Sequence, residues 1–385
     1  VNELLLLRNR VLTLGILISI IASLSFLPLV SAAGGKDANA AAKEPLVKAI
    51  YLNGWQIASS AGFPVVKGTI MIALEGLIIE GISVSYDEKS QVIAVKNVLT
   101  AGTIKVGSKT GAINGKKIMY TAEPQRINKQ LFVPLRFIND AIGGKLEWNA
   151  PGRYASISYP QFVGGGADSG GYLLDGLNGI LYQRDDQERI RRLGVSTVKL
   201  DPGYISWTRI TATKVSEDAD LITIINNYGE PAINEAVYTL FVKKGKILRQ
   251  SYAHYWQFTP EDIKLYNGDA VMNDGHQVRL IGSDGSVKST WNVSQLAGNP
   301  QANYAVEALG EGYIVARWSE EGLLTLIDLR TKKSIILFEE FKINPADNPG
   351  YLRFVGSDEN QMELKFVFTN KDKQEITYTY KLNNN

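Results

Sequence analysis

Residues 50–160 contain one pattern written twice, and this fixes a domain of two repeated supersecondary units before any chemistry is considered. The first copy runs Ile50-Tyr-Leu-Asn53-Gly54, then Pro64-Val-Val, then Met71-Ile-Ala-Leu74, a stretch of helical spacing, Gly81, and a strand ending Tyr86-Asp87. The second runs Ala112-Ile-Asn114-Gly115, then Pro124, then Phe132-Val-Pro134-Leu135-Arg136, Gly143, and Leu146-Glu-Trp148-Asn149. Asn53 and Asn114 stand 61 positions apart, too long for a solenoid unit and right for a tandem pair. Each copy reads as strand, turn, strand, helix and hairpin. Asn-Gly tolerates the positive φ angles of a type I′ turn, so both pairs are expected at hairpin tips. Phe137, Ile138, Ala141 and Ile142 fall on one apolar helix face closed by Gly143. Leu74, Leu77, Ile78 and Gly81 are expected to do the same in the first copy. Trp148 and Tyr86 each follow the helix-closing glycine and are expected to pack on the helix of their own copy.

The string Phe132-Val-Pro134-Leu135-Arg136-Phe137-Ile138, followed by Ala141, Gly143 and Trp148 and preceded by Asn114-Gly115, resembles the copper amine oxidase N-terminal domain, or stalk domain, family. The first copy has diverged, with Ile72-Ala-Leu-Glu75 where the family commonly has Val-Pro-Leu-Arg. The resemblance implies an accessory module of secreted and surface proteins, and the family name does not imply copper binding. Amine oxidation would need three histidine ligands and a self-processed tyrosine within Asn-Tyr-Asp/Glu. The chain has two histidines, His254 and His276, and its Asn-Tyr pairs continue as Asn227-Tyr228-Gly229 and Asn303-Tyr304-Ala305. That centre cannot be built, and no cofactor is expected.

The amino-terminal region points to export. Arg8 and Arg10 precede an apolar run over 11–27, then Pro28 and Val30-Ser-Ala32-Ala33. This is the order of a secretory signal peptide, with cleavage expected after Ala32. An uncleaved anchor over 11–30 is the alternative, and the only route to a membrane. With no cysteine in 385 residues, disulfides, thiolate nucleophiles and Cys-ligated zinc are excluded. A net charge of +2 is too weak a bias to argue for nucleic acid. The expected location is therefore extracellular or cell-wall associated.

The expected domain order is signal peptide 1–32, spacer 33–45, stalk-like domain 46–160, a glycine-rich linker 161–171 and an all-β domain 172–385. The last region carries short strand-like runs, for example 221–225, 237–242, 246–250, 278–281, 313–318, 323–329, 362–368 and 376–382. Between them stand turn signals such as Lys244-Gly245 and Asp284-Gly285. Residues 304–340 read as one four-stranded sheet, the size of a propeller blade. At roughly 40–45 residues per blade the region would hold about five. The fold class is thus mainly β: a duplicated α+β module, then a β-propeller of about five blades, with a β-sandwich as the alternative.

No catalytic set assembles in the sequence. Gly282-Ser-Asp-Gly285-Ser286 lacks the spacing of a nucleophile elbow and reads as a hairpin turn. The acid pairs Asp185-Asp186, Asp218/Asp220 and Glu339-Glu340 lie in turn-like stretches where solvation is the ordinary role. Arg184, Arg189, Arg191 and Arg192, like Lys243, Lys244 and Lys246, read as solvated turn residues. The aromatic cluster Tyr252, Tyr255, Trp256 and Phe258 around His254 is the one candidate ligand surface. It would serve a cell-wall polymer, a carbohydrate or a protein, against the plainer reading of core packing. A binding protein at the bacterial envelope is the leading reading. A hydrolase with acids converging on a propeller face and a membrane-anchored sensor are its rivals.

Overall fold

The computed structural model describes residues 46–59, 62–75, 77–79, 81–166, 171–231, 233–256, 261–344 and 350–382. The signal peptide, the spacer and Phe258 lie outside them. Among the described residues no helix is long and apolar enough to cross a membrane. Pro45–Asn385 form one compact unit.

The two copies interlock. Thr69–Ala73 of the first pairs antiparallel with Gln130–Pro134 of the second, and Ile72 faces Val133, its own counterpart at the 61-residue offset. The opening hairpin of the first copy, Ala49–Leu52 with Trp55–Gln56, joins the closing hairpin of the second, Lys145–Asn149 with Tyr154–Ser158. That junction is parallel, Ile50 beside Ala155. The reciprocal hairpins, Ser83–Asp87 with Val92–Lys96 and Thr110–Ile113 with Lys116–Met119, share a five-stranded sheet through the linking strand Ala101–Lys105. Both Asn-Gly pairs stand at hairpin tips with positive φ throughout: Asn53 +46° and Gly54 +88°, Asn114 +47° and Gly115 +77°. Their side chains also clamp a neighbouring strand. Asn53 Oδ1 accepts from the Tyr159 N–H and its Nδ2 donates to the Tyr159 carbonyl, both at 2.9 Å, while Asn114 Oδ1 accepts from the Ala101 N–H at 2.8 Å.

The second-copy helix, Leu135–Ala141, forms as expected. Phe137, Ile138, Ala141 and Ile142 are fully buried. Gly143 takes φ +68° and the Gly144 N–H returns to the Asn139 carbonyl at 2.8 Å, closing the helix through a left-handed residue. Arg136 points outward, 3.5 Å from Asp140. The helix expected in the first copy is absent among its described residues. There Leu77 and Ile79 are buried while Ile78 is 92% exposed, the alternation of an extended chain. The cause is legible in the sequence: Gly76 occupies the position of Phe137, and the copy is one residue shorter before Gly81 than before Gly143. A glycine disfavours helix by about 1 kcal/mol against alanine and brings no side chain to bury.

Trp148 also departs from expectation. It lies on an edge strand opposite Ala155 and remains 48% exposed, because the sheet ends there and no described residue covers the ring's outer half. Tyr86 is half-buried against the core. Trp148→Ala should therefore cost about 1 kcal/mol, whereas Phe137→Ala should cost about 3–5 kcal/mol, as urea denaturation would measure.

The remainder is a propeller-like series of β meanders, each sheet antiparallel between sequence neighbours. Blade 1 comprises Phe162–Gly166, Gly171–Asp175, Ile180–Arg184 and Ile190–Val195; blade 2 comprises Thr208–Ser216, Ala219–Tyr228, Asn234–Lys243 and Lys246–Trp256. Blade 3 comprises Leu265–Tyr266, Asp269–Asn273, Gln277–Ile281 and Val287–Asn292; blade 4 comprises Tyr304–Gly310, Tyr313–Trp318, Leu324–Asp328 and Lys333–Ile336. Blade 5 has three strands, Gly350–Ser357, Glu363–Asn370 and Glu375–Lys381. Apolar clusters join blade 1 to 2, 2 to 3, 3 to 4 and 4 to 5. Among the described residues none joins blade 5 to blade 1. The far side of blade 5 is polar, with the ion pairs Arg353–Glu375 and Lys381–Glu363.

The glycines expected as a linker do something else. Gly164–Gly166 belong to the first strand of blade 1, paired with Gly171–Leu173. A Cβ on Gly165 would overlap the Ile210 carbonyl and stand 2.9 Å from the Ile210 Cβ. Glycine is required there because the first strand of blade 2 passes directly over the backbone.

Candidate functional site

The last strand of blade 2 carries the predicted aromatic cluster, and the two-residue period of a strand splits it. Tyr252, His254 and Trp256 point to one side, with Tyr252 44% and Trp256 42% exposed. Tyr255 points to the other and is buried, so it is not part of the surface. Neighbours in a strand cannot share a face, and Tyr255 is removed from the expected cluster on that ground.

The exposed face recruits rings that sequence proximity did not suggest. Tyr238 faces Tyr252 across the sheet, ring centroids 4.9 Å apart. Tyr228 lies 6.2 Å from the His254 ring and 6.4 Å from Tyr204. The Tyr238 hydroxyl donates to the Lys199 carbonyl, anchoring its end of the row. His254 Nε2 meets Asn234 Oδ1 at 3.2 Å, which fixes the imidazole plane beside Trp256. Alternate strand residues stand about 7 Å apart, so Tyr252, His254 and Trp256 form a ladder of rings about 13 Å long. Asn234, the cross-strand partner of Trp256, and the tyrosine hydroxyls supply donors and acceptors along it. Such a surface suits a ligand with apolar faces and hydroxyl edges.

Tyr255 instead enters a polar knot binding three blades. Its hydroxyl donates to Asp262 Oδ2 at 2.9 Å; Asp262 Oδ1 accepts from Asn273 Nδ2 at 2.8 Å and from the Val306 N–H at 2.7 Å. Desolvation in this packed corner holds the Asp262 carboxyl above the usual carboxylate range, against the hydrogen bonds that pull it down. Burial, and then the neighbouring Asp262 carboxyl, push the Tyr255 hydroxyl well above its ordinary value. Satisfied donors and acceptors make this a fastening, not a reactive centre.

The other candidates are scattered and individually occupied. Asp185 accepts from the Gln187 and Arg189 N–H groups and pairs with the Arg189 side chain. Asp218 is held by Lys243 at 2.7 Å, and Asp220 by the Tyr172 hydroxyl at 2.6 Å and Lys214 at 2.9 Å. Glu339 and Glu340 are the exposed end of a helical turn, Leu337–Glu340, whose Leu337 and Phe338 are buried. His276 Nδ1 meets Ser294 Oγ at 2.9 Å, away from His254. Gly282–Ser286 is a hairpin turn, Asp284 Oδ1 accepting from the Ser286 N–H and hydroxyl. Among the described residues no three His, Asp or Glu side chains group as a metal site.

Fold and surface together define a mainly β protein in which a duplicated domain precedes a propeller-like set of blades, one of them bearing an aromatic strip. The profile of the copper amine oxidase N-terminal domain family matches residues 50–157, and the duplicated segment is such a domain. No curated protein matches the sequence. Among solved structures the chain is similar to virginiamycin B lyase from Staphylococcus aureus, at 11% identity over 81% of this chain and 98% of that one, with a TM-score of 0.27. It is similar also to a streptogramin B lyase, at 14% identity over 56% of this chain and 67% of that one, TM-score 0.25. A third similarity is to AztD from Citrobacter koseri, at 10% identity over 66% of this chain and 84% of that one, TM-score 0.24. These similarities carry no argument about ligand or chemistry.

Proposed function

We propose that this chain is a non-catalytic extracellular binding protein whose duplicated domain serves as a stalk and whose second blade presents an aromatic strip to a cell-envelope glycan. The observation that carries the reading is the ladder of Tyr252, His254 and Trp256 on one exposed face, backed by Tyr228 and Tyr238. A contiguous row of exposed rings, unlike an isolated one, is the mark of an interaction surface. The stalk-like domain over 50–157 and the export signature at Arg8–Ala33 support the location. The mature chain then begins at Ala33, which amino-terminal sequencing of the wall or culture fraction would establish.

The test is retention on isolated cell-wall polysaccharide. Tyr252→Ala and Trp256→Ala should each reduce retention about tenfold, the scale on which aromatic anchors contribute to an interface. Thermal melting should fall only slightly, since both rings are partly exposed and neither belongs to the core. Unchanged retention by the double variant would remove the blade-2 strip from the function.

A further inference from the structure

A second candidate site lies in the duplicated domain, and the duplication itself supplies the control that exposes it. Trp55, on the opening hairpin of the first copy, is 66% exposed. Its counterpart at the 61-residue offset is Lys116, a residue suited to a solvated sheet edge. The fold therefore needs no ring at this position, since its other half is built without one. Trp55 stands at the mouth of a cleft of about 370 Å³ with Ile57, Ile78, Ile79, Tyr159 and Gln161 among its walls, and none of its described lining side chains is charged. Of these walls Ile78 is 92% exposed.

At the inner wall sits Gln161, only 7% exposed, whose Oε1 has no hydrogen-bond partner among the described residues. Buried amide oxygens are normally paired, so this one lacks a donor that a ligand can bring. The terminal amide torsion of glutamine is broad, which lets the group turn toward an occupant. The backbone around it is fixed: Asn53 clamps Tyr159 on both sides, and the Gln161 carbonyl accepts from the Gly176 N–H at 2.9 Å.

We propose that this cleft binds the ring of an uncharged sugar, its apolar face against Trp55 and one hydroxyl donating to the Gln161 amide oxygen. The described lining side chains carry no charge that would match an acidic or basic ligand, the exposed indole asks for a flat apolar face, and the amide asks for a donor. An uncharged pyranose joins these three properties. The site is independent of the blade-2 strip, so the domain read as a stalk is also a binding module.

The full chain should be titrated with cellohexaose, chitohexaose and maltohexaose, following tryptophan fluorescence and calorimetry. At least one should bind saturably. Trp55→Ala and Trp55→Lys, the latter installing the residue of the second copy, should weaken that binding about tenfold or more. Gln161→Leu, which removes the unpaired acceptor, should weaken it several-fold with no loss of thermal stability. Trp55→Lys should weaken the binding by the same factor in a Trp256→Ala background, where the blade-2 strip is already disabled, which separates the two proposals. Saturation by none of the three sugars, binding indifferent to Trp55→Lys in a protein that melts like wild type, or preference for an apolar peptide over every sugar would each overturn the assignment.

Discussion

Arg317→Ala should lower the unfolding free energy by about 3–5 kcal/mol, the scale on which removing one member of a buried ion pair strands the other. The Arg317 side chain is 1% exposed and that of Glu307 is 10% exposed. The guanidinium donates to the Glu307 carboxylate, to the Gly322 carbonyl at 2.6 Å and to the Leu352 carbonyl, and lies 4.3 Å from the Tyr351 ring centre. It therefore fastens blade 4 to blade 5 with its donors directed in several ways. Lysine cannot reproduce that fork, so Arg317→Lys should be nearly as damaging. Replacing both charges, as Arg317→Met with Glu307→Leu, should recover most of the loss, because two apolar groups leave nothing unpaired. Urea denaturation of the three variants decides the matter.

The same pair predicts a pH signature. Burial raises the Glu307 carboxyl above its ordinary value, outweighing the pull of Arg317 in the opposite direction. The folded protein thus holds this proton more tightly than the unfolded chain. Its contribution to stability is complete below the ordinary glutamate range and is lost as pH rises through the raised folded value. Arg317→Ala removes the cation that opposes the shift. The deficit of that variant relative to wild type should be largest at neutral pH and should shrink on acidification. A deficit independent of pH would mean that Glu307 stays solvated in the variant.

The second large effect is expected from a single methyl group. Gly165→Ala places a carbon against the Ile210 backbone, where neither partner is a flexible side-chain end. Two strands must separate to admit it, and overpacking of this kind costs about 3 kcal/mol. Gly164→Ala is the control: its Cβ would meet only the Leu173 Cδ2, at 3.3 Å, and should cost well under 1 kcal/mol. If both variants melt alike, the close approach of the first two blades is wrong.

How much of this was legible in the sequence follows from how local each signal is. The blades were readable because each is a meander of neighbouring segments, and turns such as Lys244-Gly245, with φ of +49° and +71°, announce themselves in place. The second-copy helix was readable because Phe137, Ile138, Ala141 and Ile142 carry its whole apolar face. The first-copy helix was misread because Leu74, Leu77 and Ile78 match helical spacing while Gly76 and the missing residue undo it. Gly164–Gly166 were misread because composition alone does not distinguish a linker from a strand under close packing. In the aromatic strip, the alternation of Tyr252, His254 and Trp256 was available and Tyr255 should have been set aside by it. The contributions of Tyr228 and Tyr204 depend on sheet register and on the turn before blade 2, which no local pattern reports.

The exchange of hairpins makes each copy incomplete by itself: one copy holds one member of the central pair, as Ile72 meets Val133 only in the other. The two sheets built from exchanged hairpins are nevertheless not equivalent. Ile50 meets Ala155 directly in a parallel pair, whereas Val92–Lys96 and Thr110–Ile113 are separated by Ala101–Lys105. Loss of either copy would therefore unmake the sheets of the other, and the duplicated domain unfolds as one unit.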